Sequence, residues 1–469
     1  MRESEPFDAI IIGTGQAGKP LAGALARKGK HTAIVERGRV GGTCIVSGCT
    51  PTKTMVASAR VAYLARRAGD YGVRTGPVAV DMEKVRERKR KMVDSWSSGN
   101  RKRLEETDGV ELMAGEASFQ GPQTVAVDLP GGGRRLLSAD WVFLNNGARP
   151  RIPEILGLAE VPYLDSTSIM DLGSVPEHLV ILGGGFIGLE FGQMFKRFGS
   201  RVTILEKGPH LAPREDPDVC RSIQDILAED GIQVHLRCRT LSVASRDRGI
   251  RVRIEREGDN GGGEVSEDLE GSHLLVATGR VPNTDTLNAD AAGVELDGGG
   301  HVRVNDRLET SVPGIWALGD VNGGPPFTHV AYDDFRIVRD NLLEGKDASR
   351  TDRILPYTVF TDPELGRVGL TERQAREAGH QVRVAKLPMD RVARAVERDE
   401  TRGFIKAVVD AETDRILGGA ALGLEGGEVV TLLQMAMMGD LPFQVLREGV
   451  FAHPTMAEAM NNLFAAIEE

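Results

Sequence analysis

Residues 8–18 read DAIIIGTGQAG. The apolar run at their start is the pattern of a strand buried on both faces of a parallel sheet. Gly13, Gly15 and Gly18 follow it in G-x-G-x-x-G spacing. Such glycines allow a tight turn, a close approach of backbone to a pyrophosphate, and tight packing of helix on strand. A helix pattern continues to about Lys28, and the next strand, HTAIVE, ends in Glu36, an acid placed to accept from a ribose hydroxyl. Strand, glycines, helix, strand and acid in this order predict a dinucleotide site whose helix N-terminus faces the phosphates.

The pattern recurs. HLVILGGGFIGLE, residues 178–190, carries Gly183, Gly185 and Gly188 behind another apolar strand, and the following strand RVTILE ends in Glu206. Glu36 lies 18 residues after Gly18, and Glu206 lies 18 residues after Gly188. Each copy also closes on a related segment, LNNGARP with Gly147 and VATGRVPN with Gly279. Two dinucleotide sites in one chain suggest an electron relay between a bound flavin and an exchanging nicotinamide, with the flavin in the first. In GIWALGDV a strand ends at Gly319 and Asp320, a carboxylate suited to ribityl hydroxyls; a plain turn is the alternative. From about Pro356 the glycine fingerprints stop, and strands and helices alternate in a third, α+β module beginning near Arg350. The glycine-rich stretch Arg256–Gly271 reads as a hairpin tip in the second module.

Composition bounds the rest. The chain has 469 residues, 41% hydrophobic and 27% charged, enough for roughly two to four globular domains and too apolar for disorder as its main state. The 57 glycines exceed the usual share, in keeping with many tight turns. A formal charge of −10 argues against nucleic acid or an anionic membrane as the partner. The basic run Lys84–Arg103 reads as a solvated helical face rather than a docking patch. No apolar stretch is long enough to span a bilayer, and MRESEPFDAIIIGTG runs straight into a strand without a leader, so a cytoplasmic location is expected. Four cysteines exclude a disulfide-stapled scaffold. Cys220 and Cys238 read as inert small hydrophobes.

Cys44 and Cys49 lie in GGTCIVSGCTPTKTM, residues 41–55. Five apart at the entry to a helix, with Gly48 to relieve the turn, they can approach within the roughly 4.4–6.8 Å Cα separation a disulfide needs. A helix N-terminus is expected to lower their thiol pKa and favour a thiolate that attacks disulfides or binds soft metals. Near the other end, FAHPTMAEAM sets His453 and Glu458 around Pro454. A dithiol that opens and closes needs a proton shuttle, which histidine supplies near neutral pH, and a carboxylate on the imidazole would fix its tautomer.

These segments resemble the flavin-dependent pyridine nucleotide–disulfide oxidoreductases, the family of glutathione reductase, dihydrolipoamide dehydrogenase and mercuric reductase. GGTCIVSGCTPTK is similar to the redox-active disulfide motif and HPTMAE to the C-terminal His–Glu motif. The resemblance covers essentially the whole chain. It implies an α/β fold with two Rossmann-like dinucleotide-binding domains and a C-terminal α+β dimerisation domain. The bounds expected are 1–152 and 281–349 for the FAD domain, 153–280 for the NAD(P) domain and 350–469 for dimerisation. It further implies that Cys44 exchanges with substrate and that Cys49 contacts the flavin as a charge-transfer thiolate. Lys53 would sit by flavin N5, paired with Glu190. Thr43 and Gly147 would join Gly13, Gly15, Gly18, Glu36, Gly319 and Asp320 around FAD, and Gly279 would join the second fingerprint around NAD(P)H. His453 and Glu458 would serve the cysteines of the other subunit of a homodimer. A helix starting near His329 would direct its positive end at the flavin.

PTKTM and LNNGARP look closest to the mercuric-reductase-like branch. The chain lacks that branch's C-terminal cysteine pair, ending NNLFAAIEE, and has no N-terminal CxxC. No resident metal site is expected, and Cys44 and Cys49 would be transient ligands of a soft ion such as Hg(II) or Cu(II). The expected activity is therefore reduction of a disulfide or soft metal ion by NAD(P)H through FAD and Cys44–Cys49. No residues suited to reading glutathione were identified. The alternatives are a dihydrolipoamide dehydrogenase or diaphorase, and a non-catalytic redox or metal sensor. Glu206 favours NADH over NADPH, although Lys207 and Arg214 nearby would admit the phosphate.

Overall fold

A computed structural model describes residues 4–247, 249–257, 264–351 and 353–467. The chain forms two compact units. The first comprises Met1–Thr54, Lys84–Arg151 and Gly279–Arg353, and the second Met55–Glu83, Ile152–Thr278 and Ile354–Glu469.

In the first unit the opening apolar run becomes the strand Glu5–Ile12, flanked in parallel by Thr32–Glu36 and Arg134–Leu144. Ala9, Ile10 and Ile11 are wholly buried, as a strand covered on both faces requires. Val110–Ala114 extends the sheet on one side, while the antiparallel strands Thr124–Asp128 and Glu116–Gly121 extend it on the other. Ile315–Ala317 pairs in parallel with Arg134–Leu144 and delivers Gly319 and Asp320 at its end. The fingerprint helix spans Gly18–Arg27, within a residue of the expected end. The basic run lies on the helix Met82–Glu105. Its Met82, Lys89, Val93, Ser97 and Leu104 are buried, at spacings that keep them on one face, and Ser97 Oγ donates to Val40 O at 2.7 Å. The remaining basic side chains are mostly exposed.

In the second unit, five parallel strands run in the order Gln233–His235, Arg201–Leu205, His178–Leu182, His273–Val276, Tyr163–Leu164. The stretch read as a hairpin forms one: Gly249–Glu257 pairs antiparallel with Glu264–Gly271, and its tip, residues 258–263, lies outside the described residues. The last segment builds a five-stranded antiparallel sheet, Pro356–Val359, Glu364–Gly369, Ile416–Gly423, Phe404–Asp410, Val382–Pro388. The helix Gly426–Met438 packs on it through Val429, Val430 and Leu433.

Candidate active site

The two fingerprints are built alike. Gly13 N donates to Val35 O and Asn145 N to Ile12 O, both at 2.8 Å; Gly183 N donates to Leu205 O and Ala277 N to Leu182 O, again at 2.8 Å. Gly13 has φ +103° and Gly183 φ +108°, and a Cβ on either would fall 2.3 Å from Asn145 O or 2.5 Å from Ala277 O. On Gly18 or Gly188 it would fall 2.3 or 2.1 Å from the carbonyl of the first glycine of its own copy. Only glycine fits these positions. The acids are pinned in the same way. Glu36 accepts from Thr14 N at 3.0 Å and Gly38 N at 2.9 Å, and Glu206 from Gly184 N at 2.7 Å and Gly208 N at 2.6 Å. A carboxylate has about four acceptor sites, so each can still accept from a ribose.

The copies differ at Asn145, where the second has Ala277. Asn145 Oδ1 accepts from Gly18 N at 2.9 Å, and Nδ2 donates to Leu318 O at 2.8 Å. A Cβ on Gly15 would lie 2.6 Å from that Oδ1. Gly15, expected to be glycine for a phosphate, is thus required to be small by the Asn145 side chain. The space in front of Gly185, Gly147 and Gly279 is open to 4 Å. Asp320 is half-buried; burial pushes its carboxyl up, while Arg280 at 3.8 Å pulls the other way. Two glycine-lined helix ends, two anchored acids and a half-buried carboxylate paired loosely with Arg280 suit two dinucleotides, one of them with a polyol chain.

Cys44 and Cys49 are brought together as thiols. Cys44 lies in the short helix Gly42–Val46, and Cys49 opens the helix Cys49–Arg66. Ser47 N donates to Thr43 O at 3.0 Å, and a Cβ on Gly48 would come 2.8 Å from that oxygen. Gly48 is therefore needed for a close backbone contact, and its φ is not positive. The expected lowering of the thiol pKa does not hold for Cys44. Its hydrogen bond with Cys49 and its burial push it well up, against smaller opposing effects of Thr328 and Lys19. Cys49 Sγ lies 3.3 Å from Thr328 Oγ1. The helix expected near His329 spans Thr328–Glu344, so its first residue faces the cysteine pair. Thr43 is exposed beside Cys44.

Lys19 escaped the sequence reading. It follows Gly18 where a helix facing a sheet would take an apolar residue, and that is the only signal it gives. Its Nζ donates to Gly41 O at 3.1 Å. Burial pushes its pKa down to about 8, while Cys44 and Glu36 pull it up.

In the second unit His453 Nδ1 meets Glu458 Oε2 at 2.8 Å and Oε1 at 3.0 Å, with the imidazole exposed. Glu190, on the fingerprint helix Phe186–Phe198, accepts from Phe360 N at 2.9 Å. Cys44, Cys49 and Lys53 belong to the first unit, and Glu190, His453 and Glu458 to the second. Cys220 and Cys238 are buried, and burial raises each thiol pKa to about 11. Among the described residues no cluster of three His, Cys, Asp or Glu side chains is placed to hold a metal, and no helix is long and apolar enough to cross a membrane.

A chain with two dinucleotide folds, a dithiol between them in sequence order and a distal His–Glu pair belongs to the pyridine nucleotide-disulphide oxidoreductases: that domain matches residues 7–334, and the family's dimerisation domain matches 355–464. It is an oxidoreductase that uses FAD and NAD(P)H. Among its relatives is the probable pyridine nucleotide-disulfide oxidoreductase RclA of Escherichia coli K12, 37% identical over 98% of this chain and 99% of that one. A mercuric reductase of Staphylococcus aureus is 36% identical over 97% of this chain and 81% of its own length. The solved Cu(II) complex of the HOCl-induced flavoprotein disulfide reductase RclA superposes with a TM-score of 0.88 at 37% identity, covering 99% of this chain and 100% of that one.

Proposed function

We propose that this protein is an NADH-preferring flavoprotein that reduces a disulfide or a soft metal ion, Hg(II) or Cu(II), through Cys44 and Cys49. The observation that carries the reading is the thiol pair itself, hydrogen-bonded together and faced by Thr328. FAD, when bound and reduced by the nicotinamide, would supply the two electrons that open a Cys44–Cys49 disulfide. Gly13, Gly15, Gly18, Glu36, Thr43, Lys53, Gly147, Gly319 and Asp320 would hold it, with Lys53 and Glu190 paired. The nicotinamide dinucleotide would lie along Gly183, Gly185, Gly188, Glu206 and Gly279. The domain bounds follow as 1–152 and 281–349 for FAD, 153–280 for NAD(P), and 350–469 for dimerisation.

Cys44 and Cys49 divide the work. The charge of a singly deprotonated pair is assigned to Cys49, which Thr328 at 3.3 Å can stabilise as a donor. Cys44 is then the sulfur that meets the acceptor, and exchange at it proceeds when its proton is taken up. His453, oriented by Glu458, would take that proton from Cys44 of the partner subunit. A thiol pair also matches the softness of the metals reduced or bound by the named relatives. Glu206, clamped between two backbone amides, presents a fixed negative charge that repels a 2′-phosphate, the ground for preferring NADH.

An anaerobic panel of Hg(II), Cu(II), lipoamide and other disulfides, run with NADH and then NADPH, tests this. At least one acceptor should sustain steady nicotinamide oxidation, with NADH the better donor, and Cys49→Ser should abolish it. No turnover with any acceptor would leave the sensor reading in its place.

A further inference from the structure

Helix Thr328–Glu344 carries a carboxylate with no part in the chemistry above. The Asp334 side chain is 1% exposed. Its Oδ2 accepts from Gly319 N at 2.7 Å and from Asn322 Nδ2 at 3.1 Å. Its Oδ1 pairs with Arg353, which also meets Asp333 at 2.8 Å. Burial pushes the Asp334 carboxyl up, with Arg353 and Gly319 opposing. A desolvated charge costs more than an apolar side chain of similar size, so packing alone does not account for it. Apart from its pairing with Arg353, Asp334 bonds to one turn, Gly319–Asn322.

That turn is tightly constrained. Gly319 has φ +76°, and a Cβ there would come 3.2 Å from both Ala331 Cβ and Asn145 Nδ2. The turn presents Asp320, while the helix that carries Asp334 presents Thr328 to Cys49. One carboxylate thus ties the element bearing Asp320 to the element bearing Thr328. We infer that Asp334, braced by Arg353, is a positioning residue for the flavin, locking the Gly319–Asn322 turn to helix Thr328–Glu344 so that Asp320 is held toward the ribityl chain. The inference rests on the reading of Asp320 as a flavin contact.

Titration of the FAD-free full-length protein with FAD, followed by quenching of flavin fluorescence, tests it without reference to turnover. Asp334→Ala should raise the FAD Kd by about 10- to 100-fold, the scale of one charge-assisted hydrogen bond. Asp334→Asn keeps an acceptor for Gly319 N and loses only the charge pairing, so its Kd should rise by about 3- to 10-fold. Asp320→Ala should also weaken binding. A folded Asp334→Ala protein binding FAD within about twofold of wild type, beside a weakened Asp320→Ala, would overturn the inference and leave Asp320 in place. An unaffected Asp320→Ala would remove Asp320 from the flavin site, and the inference with it. Should Asp334→Ala fail to fold, Asp334→Asn decides, and an unchanged Kd there assigns Asp334 to folding alone.

Discussion

Asn145 has no counterpart in the second fingerprint. Its two side-chain bonds join the amide of Gly18 to the carbonyl of Leu318, partners 127 and 173 residues away. Asn145→Ala leaves both groups buried without them, a cost of roughly 1–3 kcal/mol for each orphaned group. Thermal unfolding of the FAD-free protein should show a clear drop in Tm, and an unchanged Tm would mean that water replaces the side chain. The glycines and acids of both fingerprints were legible because spacing along the chain reports them, and the repeat doubled the signal. Asn145 was visible only as an odd residue in LNNGARP, since its partners are defined by the finished sheet. The thiol pair was legible as a pair, but the raised pKa of Cys44 was not, because it comes from burial and from Cys49 in three dimensions.

Asp362 organises several elements of the second unit. Its carboxylate pairs with Arg60 on helix Cys49–Arg66 and with Arg197 on helix Phe186–Phe198. Its carbonyl accepts from Gln193 at 2.8 Å and from Arg197 and Arg402 at 3.1 Å, and its N donates to Gln193 at 2.7 Å. Burial alone would raise the Asp362 pKa, but Arg197 and Arg60 outweigh it and hold it below the ordinary carboxylate value. A carboxyl with a depressed folded pKa contributes stability that is fully present above its unfolded pKa and lost as pH falls through the folded one. Asp362→Ala removes one partner of a largely buried cluster and leaves Arg197 without its carboxylate while Arg60 keeps Glu400, which should cost about 3–5 kcal/mol. Urea midpoints at neutral pH and at progressively lower pH should show a large gap between the proteins that narrows with acidity. A constant gap would mean that Asp362 acts without its charge. The strands and helices it ties were readable from periodicity, whereas these contacts cross from one element to another and have no period.

At the scale of the whole molecule, the part matched by the dimerisation domain leaves apolar side chains uncovered. Met435 and Met438 on one helix are 60% and 62% exposed, and Val450 is fully exposed. Isolated surface hydrophobes are ordinary, but several together on one segment mark a contact surface. They lie in the segment that also holds His453 and Glu458, while the cysteines belong to the other unit. A two-fold dimer joins like surfaces, so each active site would take its thiols from one chain and its histidine from the other. This arrangement has a consequence that a self-contained subunit cannot imitate. Cys44→Ser and His453→Ala proteins are each inactive or slowed by roughly 10²–10⁴-fold. When the two are unfolded together in equal amounts and refolded with FAD, half of the dimers are mixed. In a mixed dimer one site combines both lesions and the other has intact thiols and an intact histidine. The mixture should therefore regain about one quarter of the wild-type rate. Were each site built within one chain, every site would carry a lesion and no activity would return.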